Sequence, residues 1–168
     1  FNSCTQDKPV ETETEAPLAP GMIRMNLISY GVPATIDTPD TTERPHVIES
    51  LPSGDLHISV QKWFNITVNV SGMTMDRKKK DIAGDDVDKF QSYVAQDSVS
   101  IIYKTQMVNE EYHFYAVIKK GDKTFYASDH SQGADGAVTN FSEPQIQSML
   151  NAAKTLTPVK PAAAPAKS

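Results

Sequence analysis

A single cysteine, Cys4, in 168 residues leaves this chain without an internal disulfide or a cysteine-based metal cluster. The sequence also lacks the run of ~18 apolar residues that a membrane-spanning helix needs. Basic charge is scarce: 16 lysines and arginines stand against 21 acids, a formal net charge of −5. The one basic run, Arg77-Lys78-Lys79-Lys80, is flanked by Asp76 and Asp81. That balance argues against nucleic acid as a partner, because a duplex binder needs a basic face to displace counterions. Catalytic motifs are missing too. There is no G-x-S-x-G, no H-E-x-x-H and no glycine-rich phosphate loop. The four histidines, His46, His57, His113 and His130, show no ligand spacing, and His57 and His113 read as solvated strand residues. The expectation is a protein that is not an enzyme and carries no cofactor.

What is present divides the chain in three. Residues 1–21 hold Cys4 and an acidic, Pro/Thr/Glu-rich stretch. Residues 1–20 contain four acids and one lysine. Such a segment buries too little apolar surface to offset its ordering entropy and is expected to be a flexible linker. Residues 157–168, "TPVKPAAAPAKS", read as a Pro/Ala-rich disordered tail. Residues 22–156 form the candidate domain, and an apolar content of 39% supplies one modest core.

Within that domain the apolar period alternates between two and 3.6. In "WFNITVNV" (63–70), Phe64, Ile66, Val68 and Val70 alternate with Asn65, Thr67 and Asn69, which predicts a strand with one dry face. "LHISV" (56–60) repeats the pattern, and "VSIIYKT" (99–105), "YHFYAVIK" (112–119) and "KTFYAS" (123–128) read as strands, the last following a Lys120-Gly121-Asp122 turn. "IRMNLISY" (23–30) and "PATID" (33–37) are two earlier strands. Helices are expected at 85–96, capped by Asp85 with Val87, Phe90 and Val94 as a stripe, and at about 143–156. The second has Ser142 as cap, Gln145 completing a capping box and Phe141 stapling onto Ile146. The Arg77–Lys80 run reads as a charged hairpin tip. Short hairpins imply antiparallel pairing, so the expected fold is α+β: a mostly antiparallel sheet of about five to seven strands with two helices packed on it.

"YGVPATIDTPD" and "QIQSMLNAAKTL" resemble the opening hairpin and last helix of the PsbP-like fold. That resemblance implies an α/β sandwich and nothing about activity. "FNSC" resembles the end of a bacterial lipoprotein signal, in which small residues precede an invariant cysteine. The apolar part of such a signal would lie upstream. The resemblance implies acyl chains on Cys4, a linker that holds the domain off the membrane, and a place in a Gram-negative cell envelope. Thr5 stands where inner-membrane retention favours aspartate, which implies the outer membrane.

The remaining candidates are surfaces and loops. His57, Ser59, Gln61, Asn65, Thr67 and Asn69 are expected on one sheet face. If both helices cover the other face, these amide and hydroxyl groups stand open to a sugar or a protein. "SDHSQGADG" (128–136) offers Asp129 and Asp135 to a hard cation such as calcium. Asp40-Thr41-Thr42 and Asp97-Ser98-Val99 resemble O-glycosylation triplets of envelope proteins, with Thr41 and Ser98 as acceptors. Glu110-Glu111 reads as solvated charge. Three functions remain: an envelope module that binds another envelope protein, a glycan or cation binder, and a hydrolase with an unrecognised site.

Overall fold

The computed structural model describes residues 15–132 and 136–160. Cys4, Asp135 and residues 161–168 lie outside this set. The main sheet has seven strands. They are β3 (His46–Ser50), β4 (Leu56–Val60), β5 (Phe64–Asn69), β6 (Lys89–Gln96), β7 (Ser100–Gln106), β8 (Glu110–Lys120) and β9 (Lys123–Asp129). Their order is β3-β4-β5-β9-β8-β7-β6, and every pairing is antiparallel. The sheet is thus two meanders, β3–β5 and β6–β9, joined where β5 meets β9. A smaller sheet sets β2 (Ala34–Pro39) between β1 (Met22–Asn26) and β10 (Thr157–Pro158). The antiparallel α+β architecture read from the sequence is the one observed.

The two α-helices among the described residues are α1 (Met75–Ala83) and α2 (Glu143–Ala153), and they lie on opposite faces of the main sheet. Helix α2 begins as its sequence predicts. Ser142 Oγ accepts from the Gln145 backbone N–H, the Gln145 side chain accepts from Ser142 N–H, and Phe141 is buried beside the helix. Ile146, Met149 and Leu150 then pack on Ile58, Ile66, Phe114 and Phe125 of the sheet and on Ile36 of the small sheet. Each such fully buried side chain contributes about 1.5–3 kcal/mol of transfer free energy. This is the principal core.

The expected helix at 85–96 is instead strand β6. The cause is a pair of bulges. Pairing with β7 skips Gln91, between Phe90↔Thr105 and Ser92↔Lys104, and skips Val94, between Tyr93↔Tyr103 and Ala95↔Ile102. Each extra residue stretches the same-face spacing from two to three. Phe90, Tyr93 and Gln96 therefore share one face at intervals of three, whereas of the other residues of the expected stripe Val87 precedes the strand and Val94 is itself a bulge residue. Asp85 still acts like a cap, accepting from the backbone N–H of Val87 and Asp88, but it shapes the turn into β6.

The basic run lies in helix α1, not at a hairpin tip. Thr74 caps it by accepting from Arg77 N–H, and Asp76 sits in its first turn. Ile82 is its buried residue. Met75 packs beside it, and two lysines add to the contact: Lys78 Nζ lies 5.2 Å from the Tyr115 ring centre and Lys79 Nζ lies 5.4 Å from that of Tyr93. A helix anchored by lysine stems on aromatic rings has no apolar stripe to read. Two strands were also invisible: the exposed edge β3, and β10, which carries pairing past residue 156 to Val159 N–H on Pro33 O. Pro158 fits because β10 is an edge strand, where a missing N–H costs little.

Candidate functional site

Alternation along β7 and β8 puts Tyr103, Thr105, Glu111 and His113 on the face that carries α1 (register Tyr103↔His113 and Thr105↔Glu111). Asp88 enters this group from the turn between α1 and β6. Asp129 enters from the last position of β9. The result is one imidazole among three carboxylates at one end of the sheet.

The geometry centres on His113, whose side chain is 15% exposed. Its Nδ1 is 2.7 Å from Asp129 Oδ2. The other Asp129 oxygen accepts the Phe114 backbone N–H at 2.8 Å, so this carboxylate bridges backbone and ring. On the far side of the ring, Nε2 is 3.1 Å from Thr105 Oγ1, 3.4 Å from Glu111 Oε2 and 3.6 Å from Asp88 Oδ2. The Tyr103 ring packs beside the imidazole with centres 5.4 Å apart. Asp88 Oδ1 is shielded from solvent and has no hydrogen-bond partner among the described residues.

The electrostatics follow from burial and sign. Burial alone would lower the His113 pKa, but the Asp129 hydrogen bond and the charges of Asp129, Asp88 and Glu111 outweigh it and raise it. The Tyr103 phenol is pushed far up by burial, then by the charges of Asp129, Asp88 and Asp81. Both shifts describe a place where positive charge is favoured and further negative charge is not.

A second polar group adjoins this one across β9. His57 and Asn65, expected on an open face, are buried at 3% and 4% exposure. They hydrogen-bond to each other through His57 Nε2 and Asn65 Oδ1. The 130–132 segment covers them: His130 N–H donates to Asn65 O, Asn65 Nδ2 donates to Gln132 O, and the His57 and His130 ring centres are 4.3 Å apart. Burial, then the neighbouring His57, lowers the His130 pKa. Ser59 is half-buried, and Gln61 stands exposed in the β4–β5 turn with φ 54°. Thr67 and Asn69 line a shallow cleft of about 330 Å³ with Asp55, Ser71, Lys78 and Tyr126. The six predicted residues are therefore divided: His57 and Asn65 form a buried pair, Ser59 is half-buried in β4, Gln61 is in a turn, and Thr67 and Asn69 form a cleft wall. The face is covered at His57 and Asn65.

The expected cation site of Asp129 with Asp135 falls partly outside the described residues. Both Asp129 oxygens serve His113 and Phe114, and Asp135 is the residue outside this set. Ser98 is exposed in the β6–β7 turn, whereas Thr41 is half-buried. Of the pair expected as solvated charge, Glu110 is exposed and faces Lys104 at 3.2 Å, whereas Glu111 is half-buried and faces His113. One sequence signal for the cluster was available. Glu111-x-His113 on a strand puts both side chains on one face, a spacing of two that serves as ligand spacing only in β structure.

No family model matches this chain, and neither curated proteins nor solved structures gave a match.

Proposed function

We propose that this protein is a lipid-anchored component of a bacterial cell envelope whose α+β domain is a non-enzymatic binding module for another envelope protein. The acyl chains would be carried on Cys4, with the acidic segment after it as the tether. An outer-membrane location is part of the proposal, on the strength of Thr5. Each buried methylene of an acyl chain contributes about 0.8 kcal/mol, so anchoring by more than one chain is stable.

The observation that carries the binding role is a set of exposed apolar side chains at one end of the sheet. Val87 is 69% exposed, Met107 56%, Val108 80% and Val138 72%. Val87 precedes the Lys89↔Gln106 pair, and Met107 and Val108 follow it at the β7–β8 turn. Val138, two residues before Asn140, pairs with Gln132, and Asn140 Nδ2 donates to Glu110 O at the β7–β8 turn. Apolar groups gathered at the tips of several loops favour a protein partner.

Fractionation tests the anchor and crosslinking tests the surface. The precursor with its signal segment should sediment with membranes, and Cys4→Ala should move it to the soluble fraction. In cells, Met107→Asp with Val108→Asp should abolish a crosslinked product formed by the wild type, while leaving membrane attachment unchanged. Continued sedimentation of the Cys4→Ala protein would overturn the anchor, and an unaltered crosslink pattern would overturn the surface.

The second reading is a small-ligand binder, for a glycan or a cation. The convergence of His113 with Asp88 and Glu111 favours the cation.

A further inference from the structure

We infer that Asp88, Glu111 and His113 bind a divalent first-row transition ion, of which Zn²⁺ is the representative. One carboxylate oxygen from each acid and His113 Nε2 supply the protein ligands, and solvent fills what remains.

The spacing of the donors is the first argument. Bonds of about 2.0–2.2 Å to nitrogen and oxygen, arranged tetrahedrally, require ligand atoms about 3.3–3.6 Å apart. His113 Nε2 is 3.4 Å from Glu111 Oε2 and 3.6 Å from Asp88 Oδ2. All three donor atoms lie within 4.8 Å of one another.

The outer contact is the second. His113 donates its Nδ1–H to Asp129 Oδ2, which leaves the Nε2 lone pair facing the two acids. A carboxylate behind a histidine is the usual device for orienting a metal-bound imidazole. Asp129 is in turn fixed by the Phe114 N–H, so the ring direction is set by the sheet itself.

The third is what the acids do otherwise. Asp88 Oδ1 is shielded from solvent without a hydrogen-bond partner among the described residues, so this carboxylate is not committed to a protein donor on that side and Oδ2 faces His113. Its backbone is held by Asp85, which accepts the Asp88 N–H at 2.9 Å. Two carboxylates neutralise the ion's double charge, and Asp129 balances the polarised imidazole. Calcium fits poorly, because it takes six to eight oxygens and here one donor is a nitrogen. In the metal-free protein, the Thr105 hydroxyl at 3.1 Å and a proton on Nε2 compete for the same lone pair. The inference rests on the second reading, cation binding, and stands apart from the anchor and from any protein partner.

The test is calorimetric titration of the chelator-treated 168-residue chain with Zn²⁺, followed by Co²⁺ absorption spectroscopy. One equivalent should bind, Ca²⁺ should compete poorly, and bound Co²⁺ should give the intense visible bands of a tetrahedral site. Glu111→Gln and Asp88→Asn should each weaken binding at least ten-fold. Asp129→Asn, which leaves all three ligands in place, should weaken it about 10–100-fold. His46→Ala should have no effect, since that histidine is on the distant edge strand. If a variant fails to fold, the imidazole resonances of His113 in the wild-type chain decide the matter, because Zn²⁺ must shift Nε2 and leave Nδ1 protonated. Absence of saturable binding overturns the inference, as does binding that Glu111→Gln and Asp88→Asn leave unchanged or a Zn²⁺ titration that leaves His113 unperturbed.

Discussion

The Asp129 carboxylate accepts two hydrogen bonds at once, from His113 Nδ1 at 2.7 Å and from the Phe114 backbone N–H at 2.8 Å. Its side chain is 5% exposed, so neither donor has water as a substitute. Asp129→Ala leaves a buried N–H and an imidazole unpaired and should cost about 3 kcal/mol in urea unfolding. Asp129→Asn keeps an oxygen for Phe114 and should cost about half as much. Equal losses for the two variants would show that the backbone contact contributes nothing.

Strand β6 gives a test of its bulged register. Val94 is a bulge residue and 38% exposed, whereas Tyr93 packs in the α1-side cluster. Val94→Asp should change stability by less than about 0.5 kcal/mol, and Tyr93→Ala should cost about 2–3 kcal/mol by chemical denaturation. A helix over the same residues would reverse that order, because Val94 would then lie on its buried stripe.

A third prediction concerns acid. Asp97 accepts from Lys154 Nζ at 2.6 Å and from the backbone N–H groups of Val99 and Ser100. The Lys154 contact, against a smaller opposing effect of burial, holds the Asp97 pKa well below the usual carboxylate range, and the Val99 and Ser100 bonds add to it. A depressed folded-state pKa contributes stability that is present above the unfolded value of about 3.9 and is lost as pH falls toward the folded one. Wild-type protein should therefore lose thermal stability below about pH 4, and Asp97→Asn should lose part of that slope while melting lower at pH 7. The contact is half exposed, so 1 M salt should shrink the difference. Parallel pH profiles for the two proteins would refute this role.

Close packing at Gly72 gives a fourth. A Cβ there would stand 2.5 Å from Tyr126 Cγ. Gly72→Ala must displace either the loop or the ring and should cost about 1–3 kcal/mol. Tyr126→Ala in the same background should recover part of that loss, read as a positive coupling in a double-mutant cycle.

Local pattern alone determined most of the scaffold. Residues 56–60 and 64–70 alternate with a period of two, and 99–105, 112–119 and 123–128 are short β-branched and aromatic runs bounded by polar turns, both of which report strands whatever their partners are. Ser142 and Gln145 announced α2 because a capping box is a contact between residues three apart. β6 was misread because its bulges are defined only by pairing with β7, and α1 because its lysines gain their anchors from rings far along the chain. The same distinction applies to the cluster around His113. Glu111 and His113 share a strand face by their spacing, but Asp88, Thr105 and Asp129 reach them through the β6-β7-β8-β9 order, and no local rule encodes which strands become neighbours. The sequence by itself determined most of the strands, though not β3, β6 or β10, together with the closing helix and the overall charge, since these depend on residues close along the chain. Only the tertiary structure decided which acids face His113, because that depends on register between segments tens of residues apart.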